Sequence, residues 1–240
     1  MNIESYQNPY TAAEAQPADR ATFIRNTYMH VALAVGALVA FESIFLKTAL
    51  AQAMSVKMLS GGALGWLLVL GLFMVVSHIA NRWASSDTSS GLQYAGLGLF
   101  VIAQGIILAP LLLMAQSMET VMGDSLIAKA ALVTGGLFLG LTAIVLLTRK
   151  YFSFIKSIVS IGFFVALGTI IAGAIFGFQL GTFFSAAMVL LLSGSIIYST
   201  SNVMHHYRTT QHVAAALALF SSLATLFWYV LQLFMSFSND

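Results

Sequence analysis

The sequence contains no cysteine, which excludes disulfides, thiolate metal sites and thiol nucleophiles together. Charge is also scarce. Asp, Glu, Lys and Arg make up 8% of the chain, whereas a soluble domain carries about a quarter. The formal net charge is only +2 and there is no basic run, so nucleic acid is not an expected partner. No aspartate falls within any long apolar stretch, which excludes an aspartyl protease of the intramembrane kind. Proline occurs only at Pro9, Pro17 and Pro110.

The chain is instead filled by apolar residues, at 59% of the total and a mean hydropathy of +0.91. They fall into seven stretches: Ile24–Leu46, Gly61–Ala80, Gly91–Gln116, Leu126–Leu147, Ile155–Phe178, Leu180–Tyr198 and Val213–Phe237. Each is close to the roughly 20 residues that a helix needs to cross a hydrocarbon core of about 30 Å. Backbone groups in lipid must be satisfied within helices or closed barrels. Barrel strands alternate apolar and polar residues, but Leu67–Val76 and Ala143–Leu147 are continuously apolar. The expected fold is therefore all-α and polytopic, with seven transmembrane helices over residues 23–238. The 240 residues leave no room for a second globular domain.

Residues 1–22 are polar, carry Glu4, Glu14 and Asp19, and show no apolar periodicity. They read as a loosely structured cytoplasmic tail and not as a signal peptide. With that tail inside, seven of the ten Lys and Arg residues lie on the inner side: Arg20, Arg25, Arg82, Arg149, Lys150, Lys156 and Arg208. Lys47, Lys57 and Lys129 lie outside. The bias predicts a cytoplasmic N-terminus and a periplasmic C-terminus. Only Gln179 separates spans five and six, which demands a tight turn helped by Gly177 and Gly181. Gly61/Gly65, Gly136/Gly140 and Gly173/Gly177 have the small-xxx-small spacing of helix contacts. Pro110 should kink the third span or accommodate packing there.

Glu42 is the one acidic residue inside a span. A carboxylate at that depth is a functional candidate, although near a helix end it can also reach water or Lys47. Glu119 and Asp124 would share its side of the membrane and could draw cations to an outer mouth. The five histidines, His30, His78, His205, His206 and His212, all fall in the cytoplasmic half, where a pH response is possible. No spacing among them specifies a metal or haem, and no cofactor is expected. Ser193 and Ser195 lack a base at their depth, so no enzymatic activity is expected.

Several segments carry a family resemblance. Arg25-Asn26-Thr27-Tyr28 resembles the opening of YccA-type members of the Bax inhibitor-1 family. Leu141 to Phe154, containing Thr148-Arg149-Lys150-Tyr151-Phe152-Ser153-Phe154, is similar to that family's "LT…TRKDFSF" signature. Met122-Gly123-Asp124 resembles the bacterial branch, and Ile196 to Asn202 with Leu217–Leu233 resembles the C-terminal signature. The resemblance implies six helices in two layers around a central C-terminal helix, Val213–Phe237. It also implies either regulation of membrane-protein quality control through the membrane AAA protease FtsH, or a pH-sensitive calcium leak. The leak members use two facing carboxylates, whose matching positions here are Ser199 and Ser222, and Arg82 lies near the basic gate partner. Hydroxyls bring no negative charge and do not titrate near neutrality, so a carboxylate switch is not expected at these two serines. Tyr151 replaces the acid that follows Arg-Lys. The favoured expectation is an inner-membrane regulator with the bilayer and FtsH as partners. The alternative is a cation channel or transporter with pore or gate positions among Glu42, Arg82, Ser199 and Ser222.

Overall fold

The computed structural model describes residues 11–87, 89–123, 125–148, 151–178 and 180–238. They form eight helices: α1 Pro17–Phe45, α2 Ala49–Ser60, α3 Gly62–Ala84, α4 Ser90–Met122, α5 Leu126–Thr148, α6 Ser153–Phe176, α7 Gly181–His205 and α8 His212–Phe237. Seven of them are long and apolar enough to cross a membrane. The exception is α2, whose 12 residues rise about 18 Å and are too short to span. It was not expected. Thr48 starts it, accepting a hydrogen bond from the Ala51 N–H at 3.1 Å, and α2 packs against α3 and α4.

Helix α1 begins six residues before the end of the expected tail. Pro17 at its first positions supplies a preset φ, and Asp19 lies in the first turn where the helix dipole favours a negative charge. Residues 17–22 are therefore helical. Thr11–Gln16 are also folded. The Ala12 N–H donates to the Tyr207 carbonyl at 3.0 Å, and Thr11 pairs with Arg208. Residues 1–10 of the expected tail lie outside the described residues.

The tight turn between spans five and six is built as two helix ends. Helix α6 stops at Phe176, with Gly177 left-handed at φ 76°, and α7 opens on Gly181 at φ 65°. Both values favour glycine because a Cβ would be strained there.

Helix α8 is the centre of the bundle. It packs on α1, α3, α4, α5 and α7, while α6 sits outside against α7 and α3. Its buried positions go all the way round, from Val213–Leu217 through Leu219, Phe220 and Leu226 to Leu231. Such a helix needs apolar residues on every face. Helix α4 shares this burial. It runs unbroken through Pro110, which is buried beside Ala109, Leu111 and Leu112. Two apolar clusters meet at α8. One joins α1, α4, α5 and α7, and the other joins α1, α3 and α4. Phe100 crosses from α4 to meet Phe220 edge-on, with ring centres 6.0 Å apart.

The expected small-residue contacts lie elsewhere. Gly136 and Gly140 have open space where a Cβ would go, and Gly61 and Gly65 flank the α2–α3 junction. Gly173 is buried, but a Cβ there would meet the Phe178 carbonyl oxygen and Leu180 of the turn that follows its own helix. Close approach to the backbone of another helix occurs at Gly96, where α4 meets Ala80 and Ala84 on α3.

Candidate functional site

Seven crossings put the start of α1 and the end of α8 at opposite ends of the bundle. In the half away from the N-terminus, two clefts flank α8. The first has a volume of about 590 Å³ and lies between α1, α4, α5 and α8. The second, about 630 Å³, lies between α3, α4, α6, α7 and α8.

Glu42 lines the first cleft. The inward stripe of α1, carried by Phe23, Thr27, Val31 and Ala34, continues to Glu42, which is only 7% exposed. Neither carboxylate oxygen has a hydrogen-bond partner. Lys47 stands exposed at the rim and makes no ion pair with it. The interfacial alternative of a carboxylate reaching water or Lys47 does not hold, because the helix turns this residue toward the core. Gly105 on α4 makes room for it: a Cβ there would lie 3.2 Å from Glu42 Oε1 and 2.5 Å from Phe41 Cδ1.

Glu119, also expected at an outer mouth, does not line this cleft. Glu119 Oε1 accepts the Ile127 N–H at 2.7 Å and caps the start of α5. Asp124 lies outside the described residues. The second cleft is lined by amides and hydroxyls that charge-based reading missed. Gln104 is 4% exposed, and Ser185 Oγ donates to Gln232 Oε1 at 3.1 Å. Uncharged Gln within a span was the available signal, because an amide in lipid requires a partner.

In the half nearer the N-terminus, buried hydroxyls gather between α1, α5 and α7. Tyr28 faces Thr142 and Thr200, and the oxygens of Thr27, Tyr28, Thr142 and Thr200 have no hydrogen bond within standard geometry. The histidines lie at this end in two groups. His30 donates from Nδ1 to the Asn26 carbonyl at 2.7 Å, which leaves Nε2 to meet the Tyr94 hydroxyl at 3.2 Å. The ring of His212 is 4.9 Å from that of His30. His206 Nε2 is 2.8 Å from the Tyr151 hydroxyl, and His205 bonds the Ser201 carbonyl. His78 is exposed, apart from both groups.

The family model described as "Inhibitor of apoptosis-promoting Bax1" matches residues 20–239. The chain belongs to the Bax inhibitor-1 family. An uncharacterized protein of Pseudomonas aeruginosa is 31% identical over 240 residues, covering 98% of this chain and 97% of that protein. The "Modulator of FtsH protease YccA" of Escherichia coli is 30% identical over 220 residues, covering 90% and 91%. An uncharacterized membrane protein of Vibrio cholerae is 26% identical over 170 residues, covering 70% and 71%.

Within this Bax inhibitor-1 fold the remaining signature positions can be placed. Ser222 on α8 lies 3.4 Å from Ser195 on α7, one turn before Ser199, and also donates to the Ala218 carbonyl. Arg82 is exposed in the last turn of α3, at the helix end that favours a cation. Thr148 donates back to the Ile144 carbonyl at 2.7 Å. Arg149 and Lys150 lie outside the described residues. Ser193 donates to the Val189 carbonyl of its own helix.

Proposed function

We propose that this protein is a non-catalytic regulator of membrane-protein quality control in a bacterial inner membrane, acting through a membrane AAA protease of the FtsH type. The observation that carries this reading is the 30% identity, over 90% of the chain, to a protein named as a modulator of that protease. The architecture supports it. A protease that pulls from the N-terminus must detach α1 from α8, the helix on which five others pack. Such a substrate is hard to extract, so it occupies the enzyme. In this reading the N-terminus is cytoplasmic and residues 1–10 are the handle.

The test is lifetime and association in cells. Tagged protein should co-purify with the protease from detergent extracts. Deleting residues 2–10, which keeps Ala12 and Arg20, should lengthen its lifetime without disturbing insertion. Overproduction should slow turnover of another membrane substrate. No co-purification, or an unchanged lifetime after the deletion, sinks the reading.

A further inference from the structure

The first cleft combines two features that rarely occur together. Its walls are apolar, with Leu108 and Leu112 of α4 and Phe220 and Phe227 of α8 among them, yet it contains a buried carboxylate. Both Glu42 oxygens are shut away from solvent and neither has a partner. An unpaired carboxylate in such a place is costly; a proton relieves the cost, and so does a cation met by the carboxylate when its side chain turns out into the cleft.

The site also defines which cation. Among the described residues no second acid lines the cleft, so it complements a single positive charge. A divalent metal ion wants several oxygen ligands, usually with more than one carboxylate. The other side-chain oxygens here are the neutral ones of Ser43, Gln116 and Thr134. The Lys47 ammonium at the rim repels a cation in proportion to its charge, so it disfavours a divalent ion more than a monocation. About 590 Å³ is room for an organic body, not for an ion alone. Phe227, half-buried on α8, is an aromatic side chain of the lining, and an aromatic ring favours an organic cation.

The route in follows from the rim. Helices α1 and α5 both pack on α8 rather than closely on each other. Val39 and Ser43 on α1, and Ala131 on α5, line the cleft and are exposed on the outside of the bundle. The cleft therefore opens sideways, on the outer surface of the bundle between α1 and α5. A molecule already dissolved in the bilayer can enter without crossing water.

We propose that this cleft binds a lipophilic organic monocation drawn from the membrane, with Glu42 as its counter-ion. The proposal is independent of the protease reading. Tritiated tetraphenylphosphonium tests it, measured by equilibrium dialysis against purified protein in nanodiscs, with empty nanodiscs subtracted. Binding should be saturable at one site per chain. Glu42→Gln, which keeps the shape and removes the charge, should weaken it about tenfold or more. Ala131→Phe, which fills the mouth and leaves the charge, should weaken it as well, and this variant decides the matter should Glu42→Gln fail to fold. Neutral triphenylphosphine oxide should not compete. Equal binding by the unmodified protein and Glu42→Gln would overturn the proposal. So would displacement of the probe by millimolar calcium, or by the neutral analogue as readily as by the cation itself.

Discussion

Single residues in this protein matter according to the backbone they face, and glycine shows this most clearly. A Cβ at Gly96 would stand 2.5 Å from the Ala80 carbonyl oxygen and 2.6 Å from the Ala84 nitrogen. Neither atom belongs to a flexible side chain, so α3 and α4 would have to separate. Gly96→Ala should therefore cost about 1–3 kcal/mol, as overpacking does in other cores. Gly98, one turn-half away on the same helix, is exposed with open space around it. Gly98→Ala should be neutral or slightly stabilising, because alanine favours the helix by up to about 1 kcal/mol. Thermal melting of the two variants in the same detergent checks the contrast, and equal melting temperatures would contradict it. The spacing of small residues could not have made this distinction. It marks a smooth face, as at Gly136 and Gly140, but does not say whether a neighbour lies against it. Glu42 was more legible, because a lone acid in an apolar run is conspicuous whatever its surroundings. Whether it faced the core or the interface depended on the stripe it continues.

At the scale of elements, the segment Thr11–Gln16 joins three parts of the N-terminal end. Arg20, one turn into α1, reaches back with its guanidinium to the carbonyls of Ala12 and Ala13, each at 2.7 Å, and of Ala15 at 3.2 Å. Ala12 is fully buried and belongs to the main apolar cluster. The turn that receives it, Tyr207–Arg208, is tied to the α3–α4 connection by the Arg208–Asp87 ion pair. Burial holds the Tyr207 phenol above its ordinary pKa, with the neighbouring Tyr198 adding to the shift, so it stays neutral at physiological pH. Arg20→Ala leaves three carbonyls without their donor and should release the segment. Proteinase K should then cut within residues 11–16 several-fold faster, while the helices stay protected. Asp87→Asn, which weakens only the exposed ion pair, should have a much smaller effect, since such pairs contribute about 0–1 kcal/mol. Equal cleavage rates for Arg20→Ala and the unmodified protein would show that the guanidinium does not hold the segment. Part of this was readable beforehand: Pro17 followed by Asp19 is a helix-start signal. The docking of Thr11–Gln16 was not, because six polar and small residues carry no periodicity, and their partner lies nearly two hundred positions away.

For the whole molecule, the count of spans came directly from hydropathy, because each crossing must be long and apolar. The arrangement of spans came less directly. In lipid the outside of a helix is as apolar as its inside, so periodicity does not reveal which helices are central. The family resemblance pointed to α8, but nothing comparable singled out α4, its equal in burial. Orientation is the remaining whole-molecule property, and the fold sharpens its test. Among the described residues Arg20, Arg25, Arg82, Lys156 and Arg208 lie toward the end where α1 begins, while Lys47, Lys57 and Lys129 lie toward the other. Basic residues near span ends are retained in the cytoplasm. The end carrying Thr11 and Arg208 should then be cytoplasmic, and the Glu42 cleft should open in the outer leaflet. Helix α2 is too short to add a crossing, so the two termini should be on opposite sides. A fluorescent protein that folds only in the cytoplasm should shine when fused at the N-terminus and stay dark at the C-terminus. A periplasm-active phosphatase should give the reverse. Cytoplasmic signals from both fusions would mean that one of the seven helices does not cross, and the closely joined pair α6 and α7 would be the first to examine. Reversed signals would place the Glu42 cleft in the inner leaflet and take the N-terminal handle away from any cytoplasmic protease.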